Sequence, residues 1–167
     1  MTSSNRNSGA GHHTRAIVTQ VDDSGPQQLV AMTGLNGQTF GETVRSQHFG
    51  LTSNPPAGGE GVAIHLGGGA DRVHALGMEH PQYRPKNLPS GATRLYDMWG
   101  NYVDLRNGAL TINHASKIVL QVGGVSLTVD SNGVQIQGGK VTHNGKDIGS
   151  DHVHIDAGGS GNSGPPA

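Results

Sequence analysis

Cysteine is absent from the 167 residues. No disulfide can staple the chain, and any metal it holds must be met by imidazole and oxygen ligands. Aromatic residues make up 4%, too few for a platform on which bases or sugar rings would stack. Net charge is nearly absent too: eleven Lys and Arg stand against twelve Asp and Glu, a formal −1. That leaves no basic excess for gripping phosphates, so nucleic acid is not an expected partner. No apolar run approaches the ~18 residues of a membrane span, and the opening MTSSNRNSGAGHHT lacks the apolar stretch of a secretory signal. A soluble protein not exported by that route is expected. Leu, Ile, Val and Phe total 34 residues, which is poor in core, but the large net charge that accompanies disorder is missing.

What the chain does have is glycine, 28 residues of it. Glycine at that level opposes extensive helix and predicts a turn-rich, all-β protein. Residues 1–13 are mostly Ser, Asn, Gly and His with nothing to bury, and read as a mobile tail whose His12 and His13 are an exposed pair rather than a site. From residue 14 the pattern changes. RAIVTQV, QLVAMT, ETVRSQ, GVAIHL and RVHALG are short β-rich runs separated by the turn clusters DDSGP, GLNGQ and SNPPAGGE, and five strands over residues 14–80 predict a small closed barrel of the OB type. With only Phe40 and Phe49 as aromatics, a sugar- or oligonucleotide-binding use is disfavoured and an adaptor role preferred.

Residues 81–94 carry Pro81, Pro85 and Pro89, which forbid helix and central strand alike and mark an extended connector at a domain boundary. The nearby His74, Glu79 and His80 read as surface groups. After RLYDMWGNYVDL, short alternating strands recur through residue 148: ALTIN, KIVLQV, VSLTV and VQIQ, then Val141, divided by NHAS, GG, SNG, GG and NG. Strand starts 7 to 9 residues apart are too close for solenoid repeats and suit one narrow strand per face of a slender prism. Each strand has one apolar stripe, with Thr, Asn, Gln and Ser on the other side. Burying eleven aliphatic side chains does not offset the cost of ordering the 33 residues of this arm. A single copy should not hold together, whereas three copies around one axis would turn the stripes inward and pair each other's open edges. A curled two-layer domain within one chain is the alternative.

In KDIGSDHVHIDAGGSGNSGPPA, residues 149–167 form a narrow, glycine-rich end. Along an extended chain His152 and His154 point the same way, about 7 Å apart at Cβ. Two imidazoles make a poor metal site. On a threefold axis, three chains would supply six nitrogens, which suits octahedral iron or nickel better than tetrahedral zinc. Alone, an H-x-H pair is a weak signal and far more often an incidental surface feature than a site.

The layout of OB-like barrel, Pro-rich connector, YDMWGNYVDL and a VTHNGKDIGSDHVH ending with a glycine-rich tail resembles the baseplate assembly protein V family, the central spikes of contractile-tailed phages, in its Mu-like form. The resemblance covers nearly the whole chain from about Arg15. It implies an N-terminal OB-fold barrel seated on the baseplate and tail hub, then an intertwined trimeric β-helix shaft over residues 95–148. It also implies an apex where His152 and His154 of three chains hold one iron ion. Calcium and chloride accompany such an apex, and Asp156, a carboxylate just behind the histidines, is the calcium candidate. The implied role is mechanical and not enzymatic: a homotrimer at the baseplate tip of the virion, assembled in the host cytoplasm and driven into the host outer membrane as the tail contracts. Some spikes of this kind carry a lysozyme domain between barrel and shaft, for which the connector leaves no room.

The rivals are a secretion-system or tailocin-like spike with the same shaft, a sugar-binding OB module, and an iron oxygenase or cupin reading of HVHID. The last needs a further distant histidine inside a barrel, and no histidine follows His154.

Overall fold

The computed structural model describes residues 13–68, 72–150, 152–155, 158 and 161, and the chain divides into two compact units, residues 1–87 and 88–167. Regular structure in both is strand, apart from two single-turn 3-10 segments. Among the described residues no helix is long and apolar enough to cross a membrane.

The first unit is a closed five-stranded barrel. Its strands are β1 (His13–Asp22), β2 (Leu29–Thr33), β3 (Thr39–Arg45), β4 (Glu60–His65) and β5 (Val73–Glu79). They run round the barrel in the order β1-β2-β3-β5-β4, with β4 returning to β1. All pairings are antiparallel except the short parallel contact of β3 with β5, so the all-β barrel expected from the sequence is present, with the Greek-key closure that removes free sheet edges. The inward positions are Ala16 and Val18, Val30 and Met32, Phe40, Ala63, Ala75 and Met78. The small residues reflect the narrow bore: Ala63 and Ala75 face each other in register. At the β4–β5 bulge the strands approach so closely that a Cβ on Gly61 would lie 2.7 Å from the Met78 amide nitrogen. Gly77 and Met78 both take positive φ there, which sharpens the bend.

The loop over residues 46–59 is held down at Ser53 by Arg45 and Gln28. Arg45 donates to Gln28 Oε1 at 2.8 Å, to the Ser53 carbonyl at 2.6 Å and to the Gly77 carbonyl at 3.2 Å. Gln28, itself buried, donates to Asp23 and to the same Ser53 carbonyl. The loop's backbone groups therefore find partners without a strand ladder.

No strand occurs between Glu79 and Thr93. The second unit then consists of two antiparallel meanders and a hairpin. The first meander is β6 (Thr93–Tyr96), β7 (Tyr102–Arg106) and β8 (Ala109–Asn113); the second is β9 (Lys117–Val122), β10 (Val125–Asp130) and β11 (Gly133–Gln137). The hairpin is β12 (Thr142–His143) with β13 (Lys146–Asp147), closed by Asn144 and Gly145, both at positive φ as a type I′ turn requires. The repeated short strands of the sequence are thus real, and in one chain each pairs with its sequence neighbours. The hydrophobic core lies wholly in the first unit. In the second, the one buried side chain among the described residues is Asp104, a carboxylate.

Candidate functional site

Two features of the second unit carry chemistry: its sheet faces and its terminal histidines. In the β9–β11 sheet, Leu120, Leu127 and Ile136 stand directly opposite one another, as do Ile118, Val129 and Val134, with Val122 opposite Val125. Strand alternation puts these eight aliphatic side chains on one face and Lys117, Val119, Gln121, Ser126, Thr128, Asp130, Gln135 and Gln137 on the other, which is polar apart from Val119. The apolar face lies largely open, with Leu120 60% and Val134 66% exposed. The β6–β8 sheet repeats the arrangement: Leu95, Val103 and Ile112 form one row and Leu105 and Leu110 the next, with Leu110 65% exposed. Contiguous exposed aliphatic rows of this kind mark a contact surface on a soluble fold.

The reverse face of β6–β8 is polar and preassembled. Asp104 accepts from Arg94 on β6 and from Arg106 two residues along β7, both at 2.6 Å through the same oxygen, and Arg94 lies 4.0 Å over the Tyr102 ring. The Arg94 hydrogen bond, aided by Arg106, holds the Asp104 carboxyl below the usual carboxylate range against the opposing cost of burial. Nothing in the sequence reading singled out this cluster. Its signal was the alternation Tyr102, Asp104, Arg106, a charged stripe on the strand whose other stripe is Val103 and Leu105.

At the far end of the chain, the ring centroids of His152 and His154 are 5.2 Å apart with planes at 85°. His152 Nδ1 is 2.6 Å from the Gly149 carbonyl, so Nδ1 carries the proton as donor and the Nε2 lone pair is directed elsewhere, the tautomer a metal ligand needs. Gly149 is fixed in turn by donating to Asp147 Oδ1 at 2.8 Å, and Ile148 donates to the Val141 carbonyl at 2.8 Å. The pair is therefore brought together and oriented by the β12–β13 hairpin before it. It does not complete a site alone: no group of three or more His, Cys, Asp or Glu able to hold a metal occurs among the described residues. Asp156, the calcium candidate, and His12 lie outside the described residues.

Histidines in and just after the barrel make local contacts. His74 Nδ1 meets Ser46 Oγ at 2.9 Å, and His80 stacks on Tyr83 and contacts the Ala57 carbonyl at 3.2 Å. His13, placed in the tail by the sequence reading, pairs with Ile64 at the start of β1. Glu60 and Glu79 are register neighbours across β4 and β5 at a groove on the barrel surface. Each is held by an arginine, Arg15 and Arg84 respectively.

Comparison with known proteins agrees with this layout. Residues 15–82, the barrel, match the family model described as bacteriophage Mu Gp45, N-terminal. The chain is also 30% identical over 118 residues to the baseplate puncturing device gp45 of Escherichia phage Mu, covering 70% of this chain and 59% of that protein. The chain thus spans about three fifths of the length of the relative. A stretch of 118 residues exceeds the 87 of the first unit, so the likeness continues into the second. The barrel is thus similar to the Mu Gp45 N-terminal family, and the likeness to the Mu baseplate puncturing device runs on into the second unit.

Proposed function

We propose that three copies of this chain form the central spike of a contractile phage tail, at the tip of the baseplate. The barrel seats on the hub proteins. The second units wind together as the shaft, a trimeric β-helix that is driven through the host outer membrane when the tail contracts. The observation that carries this reading is the second unit itself, two sheets with aliphatic faces and no core of their own. Cover supplied in fixed ratio at every assembly is most simply another copy of the same chain. The Mu relative, a puncturing device by name, supports the mechanical role, and catalysis has no part in it.

At the apex, His152 and His154 from three chains would provide six imidazole nitrogens for one iron ion, with His152 already in the required tautomer. Asp156 remains the candidate for calcium, with chloride as a companion ion. The iron supplies a cross-link between three chain ends at a point too thin to contain an apolar core. The protein's own part is to orient the rings, through the Asp147–Gly149–His152 relay of hydrogen bonds. Immunogold labelling of purified tail particles is the test of place: label at the baseplate tip is expected, and particles that lack the protein or carry it elsewhere contradict the proposal.

A further inference from the structure

β5 ends at Glu79, and the next residue, His80, has both ring nitrogens engaged. Nδ1 accepts from the Gln82 amide at 3.2 Å, and Nε2 faces the Ala57 carbonyl, also at 3.2 Å. A carbonyl oxygen can only accept, so Nε2 carries the proton and Nδ1 the lone pair. The two contacts thus demand the same species, the neutral Nε2–H tautomer. The ring is seated as well as bonded. It stacks on Tyr83 with centroids 4.5 Å apart, and it lies so close over Gly58 that a Cβ there would come within 2.9 Å of Nε2. Gly58 is itself fixed, its amide donating to the Val18 carbonyl of β1 at 2.8 Å. On the other side, the Tyr83 and Arg84 amides return to the His80 carbonyl at 3.1 and 2.9 Å. His80 therefore joins the 46–59 loop to the turn over residues 80–84, where the chain leaves the barrel.

Imidazolium cannot make both contacts. A proton on Nδ1 removes the acceptor that Gln82 uses and sets two N–H groups against each other, whereas Nε2–H stays and its bond to the Ala57 carbonyl becomes charge-assisted. We propose that His80 is an acid-released latch at the exit from the barrel: neutral, it ties the first turn of the connector to the loop; protonated, it keeps the loop and lets the turn go. Charged neighbours do not mask the change. Glu79 and Arg84 are paired with each other at 3.0 Å, residues 54–59 bring no ionisable side chain, and Glu60 beyond them is paired with Arg15. Carboxylates, tyrosine and guanidinium do not ordinarily change charge between about pH 5 and 8, which leaves the imidazole as the group there that does. The latch lies wholly within the first unit, so it stands apart from the assembly proposed above.

Exchange of the Gln82 amide with water, followed by NMR on the full chain and corrected for the intrinsic pH dependence of exchange, tests this. Between about pH 7.5 and 5, the range in which histidine takes up its proton, the protection of this amide should fall roughly two- to tenfold, the worth of one net hydrogen bond. The Gly58 amide, bonded to a carbonyl, should keep its protection. His80→Asn retains an oxygen that can accept from the amide two residues on but cannot titrate, and should hold Gln82 equally at both ends of the range; His80→Phe should leave it open at both. A wild-type Gln82 amide with the same protection throughout overturns the latch, and so does a fall of equal size in His80→Asn, which would assign the change to another group. Nitrogen-15 shifts of the ring at neutral pH are a second check: the Nε2–H tautomer is expected, and a proton on Nδ1 contradicts the proposal even if exchange depends on pH.

Discussion

Gly61 shows how narrowly the barrel is specified at single positions. A methyl group added there would press on the backbone of β5 at Leu76 and Met78, and backbone cannot step aside as a flexible side chain can. Gly61→Ala is therefore expected to lower the stability of the full chain by about 1–3 kcal/mol, the usual cost of overpacking, read as an earlier chemical denaturation midpoint. Asp104 gives a dependence on pH. Its folded pKa is depressed, chiefly by the hydrogen bond from Arg94, so the stability it contributes is whole above the ordinary aspartate value of about 3.9 and is lost as pH falls through the lower folded value. The melting temperature of the wild type should drop on acidification below about pH 4, and Asp104→Asn should be less stable at neutral pH with a shallower drop. An identical pH profile in both proteins would show that the arginine pair does not act through the charge. Neither Gly61 nor Asp104 was singled out from the sequence: the close backbone approach and the carboxylate buried under two arginines depend on the register of neighbouring strands, β4 with β5 and β6 with β7.

At the scale of elements, the five barrel strands were legible because each is a β-rich run bounded by Gly, Pro, Asn or Asp, and the same rule delivered the strands from ALTIN to VQIQ. The hairpin of β6 and β7 was not, because Asp-Met-Trp-Gly-Asn hides its turn under two large apolar side chains, and the turn signal lies in the backbone hydrogen bonds that the Asp97 carboxylate accepts. The alternation in β9–β11 was read as one-sided, and the register gathers eight aliphatic side chains on one face, with Val119 alone among the aliphatics of these strands on the other. Leu120 and Leu127 stand opposite each other in the middle of that face, so Leu120→Asp or Leu127→Asp should abolish assembly by placing an unpaired charge under the covering copy. Size-exclusion chromatography checks this: a mutant that elutes and melts like the wild type would mean the face stays wet. For the terminal pair, the proposed apex predicts that His152→Ala together with His154→Ala abolishes stoichiometric iron binding by untagged protein while leaving the proposed trimer assembled. The loss should appear locally, as faster hydrogen exchange over residues 148–155. A double mutant that retains its metal, or a wild type without any, removes the histidines from the account.

For the whole molecule, the division of labour follows from where burial is complete. The barrel encloses its own core and needs nothing further, whereas the second unit leaves its aliphatic rows open. Composition pointed the same way, since a chain with 34 large aliphatic and phenylalanine side chains in 167 residues has enough for one small core and stripes besides, but not for two closed cores. The sequence could show that a stripe lacks cover within its own chain; it could not show which residues of a neighbour meet it, because that depends on a symmetry no single chain contains. The central claim is that the second unit is stable only in company. Sedimentation equilibrium of the untagged full chain at micromolar concentration tests it most directly: the account predicts one species of three times the 17.2 kDa chain mass, and a folded species of 17.2 kDa whose hydrogen exchange shows β9–β11 protected would contradict it.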